Sequence, residues 1–169
     1  MEEYLILDGY NVINSWPRLK SLMDESLETA RDGLIDVMLE YGAFRGINVI
    51  IVFDAHLVKG NIGNRQKLEG IEIVFTKEYE TADSYIERYI IELSKENRVA
   101  VVTDDKVEQQ MILGSGAIRI PVREMIGMFD QIKNEIGKEI ETNRLRKNTL
   151  SDALDIPVLK RLEKLRRGR

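Results

Sequence analysis

Apolar residues along this chain fall into two alternating rhythms. Nearly unbroken apolar runs at 4–7, 47–53, 71–75 and 99–103 have the length and β-branched content of strands covered on both faces. Between them, apolar positions recur at helical spacing. Leu27, Ala30, Leu34, Val37, Met38 and Tyr41 form one stripe, closing near Gly42 or Gly46, and Ile86, Tyr89, Ile90 and Leu93 form another in a helix opened by Thr81-Ala82-Asp83. A helix over 107–113, a short strand over 117–120 and a helix from about 122 to 136 complete the order. The segment holding Trp16 and Pro17 reads as a polar loop, and 59–67, rich in Gly, Asn and Lys, as an exposed one. Such alternation predicts an α/β three-layer sandwich built on a doubly wound parallel sheet. Pro157 then opens 158–165, a basic terminal helix.

Three of the predicted strands stop at an acid: Asp8, Asp54 and Asp104, the last followed by Asp105. Ligands of open α/β sheets sit outside the carboxyl ends of the strands, so these side chains can be aimed at one crevice, with Asp83 joining from the first turn of its helix. Carboxylates gathered in a small volume repel one another, and a hard divalent cation, Mg2+ or Mn2+, is their natural neutraliser. A cation-activated water attacking phosphorus is the chemistry such a site supports, and phosphodiester hydrolysis fits it best. Taken singly, each acid has a plainer reading, as a turn residue or, for Asp83, a helix cap. Their common placement at strand ends is what favours a site.

Composition narrows this picture. A chain of 169 residues with 43% hydrophobic content can form one domain with a real core, and the lack of cysteine excludes disulfides and thiolate zinc sites. There is no basic leader and no apolar run long enough to cross a bilayer, so a cytoplasmic protein without a membrane partner is expected. The net charge of −4 argues against a nucleic-acid partner until its distribution is considered. From Lys133 onward eleven basic residues face six acidic ones, which leaves +5 there and −9 in the body. An acidic body that gathers carboxylates for metal, with a basic tail that meets phosphate, accounts for the asymmetry. A solvated helix face accounts for the tail equally well. The chain is accordingly read as a catalytic domain over 1–147 followed by a basic helical tail over 148–169.

Asp8-Gly9-Tyr10-Asn11, Val52-Phe53-Asp54-Ala55-His56, Thr81-Ala82-Asp83 and Thr103-Asp104-Asp105, in this order, resemble the signatures of the NYN branch of the PIN-like nuclease superfamily. The match is close to the bacterial YacP-like group, whose later segments Glu108-Gln109, 114–119 and Arg123-Glu124 also resemble. No one motif is specific; their order across 5–124 carries the resemblance. It implies a sheet of about five parallel strands and a magnesium- or manganese-dependent endoribonuclease acting on single-stranded RNA. For the YacP-like group it further implies association with the ribosome and cleavage of mRNA.

Carried over residue by residue, the resemblance implies that Asp8, Asn11, Asp83, Asp104 and Asp105 are catalytic. Asp8, Asp83 and Asp104 would hold metal, with Asp105 a ligand or its neighbour, and Asn11 would orient a phosphate or a ligand carboxylate. Asp54 either binds metal through water or fixes the loop that follows. Lys59, Arg65 and Lys67 on one side, and Ser115, Arg119 and Arg123 on the other, are candidate RNA phosphate contacts or plain surface residues. Tyr10 and Trp16 can stack on an unpaired base or pack at the sheet edge. His56, the sole histidine, can serve as a base but is more simply structural or a substrate contact. A second class of function stays open, a non-catalytic module docking on RNA or the ribosome through the tail, although such a protein has little use for repelling carboxylates.

Overall fold

The apolar runs become neighbouring strands. The computed structural model describes residues 1–55, 63–152 and 164–166. Its elements are β1 (Glu3–Asp8), α1 (Gly9–Ser15), α2 (Pro17–Leu22), α3 (Leu27–Arg45), β2 (Asn48–Phe53), β3 (Asn64–Leu68), β4 (Ile71–Phe75), α4 (Ala82–Leu93), β5 (Arg98–Val102), α5 (Lys106–Ser115), β6 (Ile118–Ile120) and α6 (Val122–Asp152). The sheet order is β3-β4-β2-β1-β5-β6. Every neighbouring pair is parallel except β3 with β4. In register, Asp8 lies beside Val52 and Leu7 beside Val102, so the ends of β1, β2 and β5 finish level.

Both faces of the sheet are covered, which is why the strands read as continuous rather than alternating apolar runs. On one face Ile6, Ile50, Val52, Val74, Val99 and Val101 pack with Ala82, Ile86 and Ile90 of α4 and Ile112 of α5. The alternate residues Leu5, Leu7, Val49 and Ile51 turn to the other face, where α1 and α3 bring Val12, Ile13, Leu34, Val37 and Met38, all buried. Each such side chain contributes about 1.5–3 kcal/mol by leaving water. Gly46 ends α3 in the left-handed region, at φ 65°.

Three elements depart from the sequence expectation. The five parallel strands expected are present, and a sixth joins them: 64–68, of which 64–67 was expected as part of a loop, forms the antiparallel edge strand β3; all five of its residues are exposed, so it shows no apolar pattern. The expected polar loop after Gly9 is two short helices. Asp8 accepts from Asn11 N to open α1, Pro17 starts α2, and Trp16 between them is 4% exposed against Phe129, ring centres 5.9 Å apart. The last long helix runs to Asp152 rather than ending near 136, since the charged residues beyond its apolar stripe are good helix formers.

Contacts divide the chain into two compact units, Met1–Phe129, which holds the sheet, and Asp130–Arg169. In the second, Ile140 and Leu145 are exposed on α6. His56, Lys59 and the basic helix expected over 158–165 lie outside the described residues, apart from 164–166, which are helical. Among the described residues no helix is long and apolar enough to cross a membrane.

Candidate metal centre

From β1 the sheet extends one way through β2 and β4 and the other way through β5 and β6. The crevice outside the carboxyl ends of β1 and β5 is therefore the switch point, where open α/β sheets bind ligands. Asp8 ends β1 there, Asp83 lies in the first turn of α4, and Glu108 lies in the first turn of α5. One carboxylate oxygen from each falls within 4.8 Å of the others. Glu108 is buried at 1% exposure, while Asp8 and Asp83 are partly buried.

The electrostatics of this trio are unfavourable as it stands. Burial pushes the Asp8 carboxyl up to about 7, helped by the charges of Asp83, Asp105 and Asp54 and opposed by the Asn11 N–H. Burial also pushes Glu108 up to about 9, reinforced by its contact with Asp83 and the charge of Asp8, and opposed by the Thr103 hydroxyl. The Thr103 hydroxyl donates to Glu108 Oε2, but Glu108 Oε1 is buried with no hydrogen-bond donor. Two carboxylates can share a hydrogen bond only if one holds a proton, so near neutrality the cluster is stable either partly protonated or with a cation. An all-oxygen donor set, a buried oxygen without a donor and mutually repelling charges fit a hard divalent ion.

The remaining predicted residues divide by what they touch. Asn11 ties the two strand ends together, its Oδ1 accepting from Asp104 N at 2.9 Å and lying 3.4 Å from Thr103 Oγ1. Asp105 caps α5 by accepting from Val107 N at 2.8 Å, while its own N–H donates to Thr103 Oγ1. Asp104 accepts from Val122 N at 3.0 Å and pairs at 3.6 Å with Arg119, whose Nε donates to Thr103 O. Asp54 is partly buried at the end of β2. Arg123 is exposed in the first turn of α6. Ser115 closes the far end of α5, donating to Ile112 O. Arg65 is held by Glu72 and by the Tyr89 hydroxyl, and Lys67 lies opposite Glu72 in the β3–β4 register, three residues short of the carboxyl end of β4. Tyr10, expected to be available to a base, is 7% exposed, its ring 5.1 Å from that of Phe53 and its hydroxyl accepting from Arg31.

Glu108 is the residue that the sequence candidates left out. Three residues after Asp105, it imitates the second half of a capping box, a reading that needs no site. The better signal is its position one turn before Ile112: an acid on the buried stripe of a helix that opens at a strand end.

Fold and site together define a doubly wound α/β protein with a carboxylate centre at its switch point. The chain belongs to the YacP-like NYN domain family, whose model matches residues 5–167. It is 42% identical over 167 residues to YacP of Bacillus subtilis (strain 168), covering 98% of both chains. It is also similar to the crystal structure of Rae1 (YacP) from Bacillus subtilis, with a TM-score of 0.73 and 43% identity over 98% of this chain and 95% of that one. A second structure of that protein, carrying one substitution, gives 0.72 and 42% over 99% and 96%.

Proposed function

We propose that this protein is a metal-dependent endoribonuclease that hydrolyses phosphodiester bonds in single-stranded RNA, with mRNA on the ribosome as its substrate. The observation that carries the reading is the meeting of Asp8, Asp83 and Glu108 within 4.8 Å at the switch point of a YacP-like NYN fold. Those three side chains would hold Mg2+ or Mn2+, and the bound cation would supply charge neutralisation and an acidic water. Asn11 and Thr103 fix the separation of the β1 and β5 ends, and so the distance between Asp8 and Glu108. Asp54 and Asp105, whose charges act on Asp8, would add to the negative field that a bound cation neutralises, and Asp104 stands at the same edge.

The test is cleavage of end-labelled single-stranded RNA with Mn2+, with Mg2+ and with chelator, repeated on translating ribosomes, for the parent and Asp8→Asn proteins. Cation-dependent cuts that vanish in the variant are expected. Binding of RNA or ribosomes without cleavage in any condition would replace this reading with that of a docking module.

A further inference from the structure

Arg31 is a cation of the carboxyl edge that no motif brings forward. It lies one turn into α3, the crossover helix that leaves the end of β1 and leads back to the start of β2. The side chain is partly buried. Its Nη1 donates to the Tyr10 hydroxyl at 3.0 Å, and its guanidinium carbon sits 5.9 Å from the centre of the Phe75 ring. Tyr10, Phe53 and Phe75 form a continuous aromatic group, with ring centres 5.1 Å and 5.6 Å apart. This group abuts the turn that follows β1: Phe53 precedes Asp54, Tyr10 follows Asp8 by two residues, and a Cβ added at Gly9 would lie 2.3 Å from the Phe53 ring. Arg31 therefore rests on an aromatic floor at the carboxyl edge of the sheet, on the face that α1 and α3 cover, across the edge from α4 and α5.

Two features separate it from an ordinary surface arginine. Among the described residues no carboxylate stands within ion-pair distance of Arg31, although it is partly buried; the partly buried Arg119 has Asp104, while Arg18, Arg45, Arg123 and Arg144, which likewise have no ion pair, are exposed to water. One of its five N–H donors is used in a hydrogen bond among the described residues. Partial burial of an unpaired guanidinium costs free energy that the contact with one ring face offsets only in part. A phosphate would supply both missing elements, a negative charge and paired oxygens in the geometry that a guanidinium fork fits.

We propose that Arg31 receives a backbone phosphate of the RNA where the strand crosses the carboxyl edge on the α3 side, and that Tyr10 is the positioning residue that orients it. This rests on the nuclease reading above. An anionic strand approaching a group of carboxylates is repelled, and a cation fixed farther along the same edge holds a neighbouring phosphate and sets the register of the strand. Tyr10 thus serves RNA through Arg31 rather than by stacking on a base.

The experiment measures KM and kcat against salt for parent, Arg31→Ala, Arg31→Lys and Tyr10→Phe proteins, on whichever of naked RNA or translating ribosomes the parent cuts. Oligonucleotide binding is measured in parallel in an Asp8→Asn background. Losing a charge-assisted contact is expected to lower kcat/KM about 10- to 100-fold in Arg31→Ala, mainly through KM. Arg31→Lys recovers part of this, Tyr10→Phe shows a smaller loss in the same direction, and the log–log salt slope of binding becomes shallower by about 0.7 in Arg31→Ala. Unchanged kcat/KM and salt slope would overturn the proposal while leaving the nuclease standing. So would a loss that tracks a lowered Tm with the salt slope intact, because that is a packing effect. A parent protein that cuts neither substrate removes the nuclease reading and this inference with it.

Discussion

Asp104 and Asp105 stand at the same sheet edge as Asp8, Asp83 and Glu108, yet the fold treats the two groups in opposite ways. Asp104 has the Val122 N–H and the Arg119 guanidinium, and Asp105 has the Val107 N–H, so each already stabilises a helix start with its charge. In the trio, Glu108 Oε1 has no donor, and burial with mutual repulsion pushes Asp8 up to about 7 and Glu108 up to about 9. A satisfied acid needs nothing more from its surroundings, whereas an unsatisfied one is an energetic cost that persists only where it serves a ligand. Position at a strand end therefore nominates an acid, and its hydrogen-bond account decides what the acid is for.

The largest effect should come from removing a charge in the trio. Asp8→Asn and Glu108→Gln preserve shape, so the fold should survive, while the several kcal/mol that a held cation contributes to the transition state correspond to a loss of about 1,000-fold or more in cleavage. Circular dichroism beside the cleavage assay checks both halves. Asp104→Asn should be milder, a loss of about 10- to 100-fold, as for groups that orient a metal site from outside. If Asp104→Asn is as damaging as Asp8→Asn, the contrast between the two groups is wrong and Asp104 binds the cation directly.

Stability against pH probes the same contrast without any substrate. The folded values of Asp8 and Glu108, about 7 and about 9, lie above their ordinary values of 3.8 and 4.5, so the folded chain holds protons that the unfolded chain releases. Stability of the metal-free protein is therefore full below about pH 4 as far as these two groups are concerned, and falls as pH rises through the folded values. With about 1 kcal/mol shifting Tm by about 2–4 °C in a domain of this size, a drop of several degrees between neutral and alkaline pH is expected by calorimetry. Mn2+ should reverse it at alkaline pH, because ionised carboxylates are what bind the cation. In Asp8→Asn both the drop and the recovery should shrink; a full Mn2+ response in that variant would place the cation elsewhere.

Much of this was legible in the sequence, for identifiable reasons. Strands buried on both faces announce themselves as unbroken apolar runs, and 48–53 is such a case, with Val49 to Phe53 all buried. The acids that end β1, β2 and β5 follow from the same periodicity, which is why Asp8 was placed correctly at its strand end before any contact was known. What stayed hidden is what periodicity does not encode. Strand β3 lies at the edge with all five residues exposed, and α1 and α2, at seven and six residues, are too short to show a stripe. Glu108 was masked by a local role that its spacing imitates, and Arg31 by the absence of any motif around it. Burial and hydrogen-bond partners, which depend on residues distant in the chain, are what bring both forward.

The smallest expected effect lies at the opposite extreme from the trio. Arg65 was a candidate phosphate contact, but its guanidinium is held by Glu72 and by the Tyr89 hydroxyl, and it lies over the Tyr89 ring at 5.3 Å. Lys67 lines a hollow with Tyr4, Asn48 and Gly70, beside the amino ends of β1, β2 and β4 and away from the acids. An exposed cation that already has partners, or that faces the wrong edge, adds little to binding, so Arg65→Ala and Lys67→Ala should each change kcat/KM by no more than about 2-fold, the size of an ordinary surface substitution. A larger loss in Lys67→Ala, accompanied by a shallower salt slope, would mean that the RNA path extends around the β3 edge to the amino side of the sheet. That outcome would enlarge the binding surface without moving the chemistry, because Lys67 cannot reach the crevice between β1 and β5 from the far edge of the sheet.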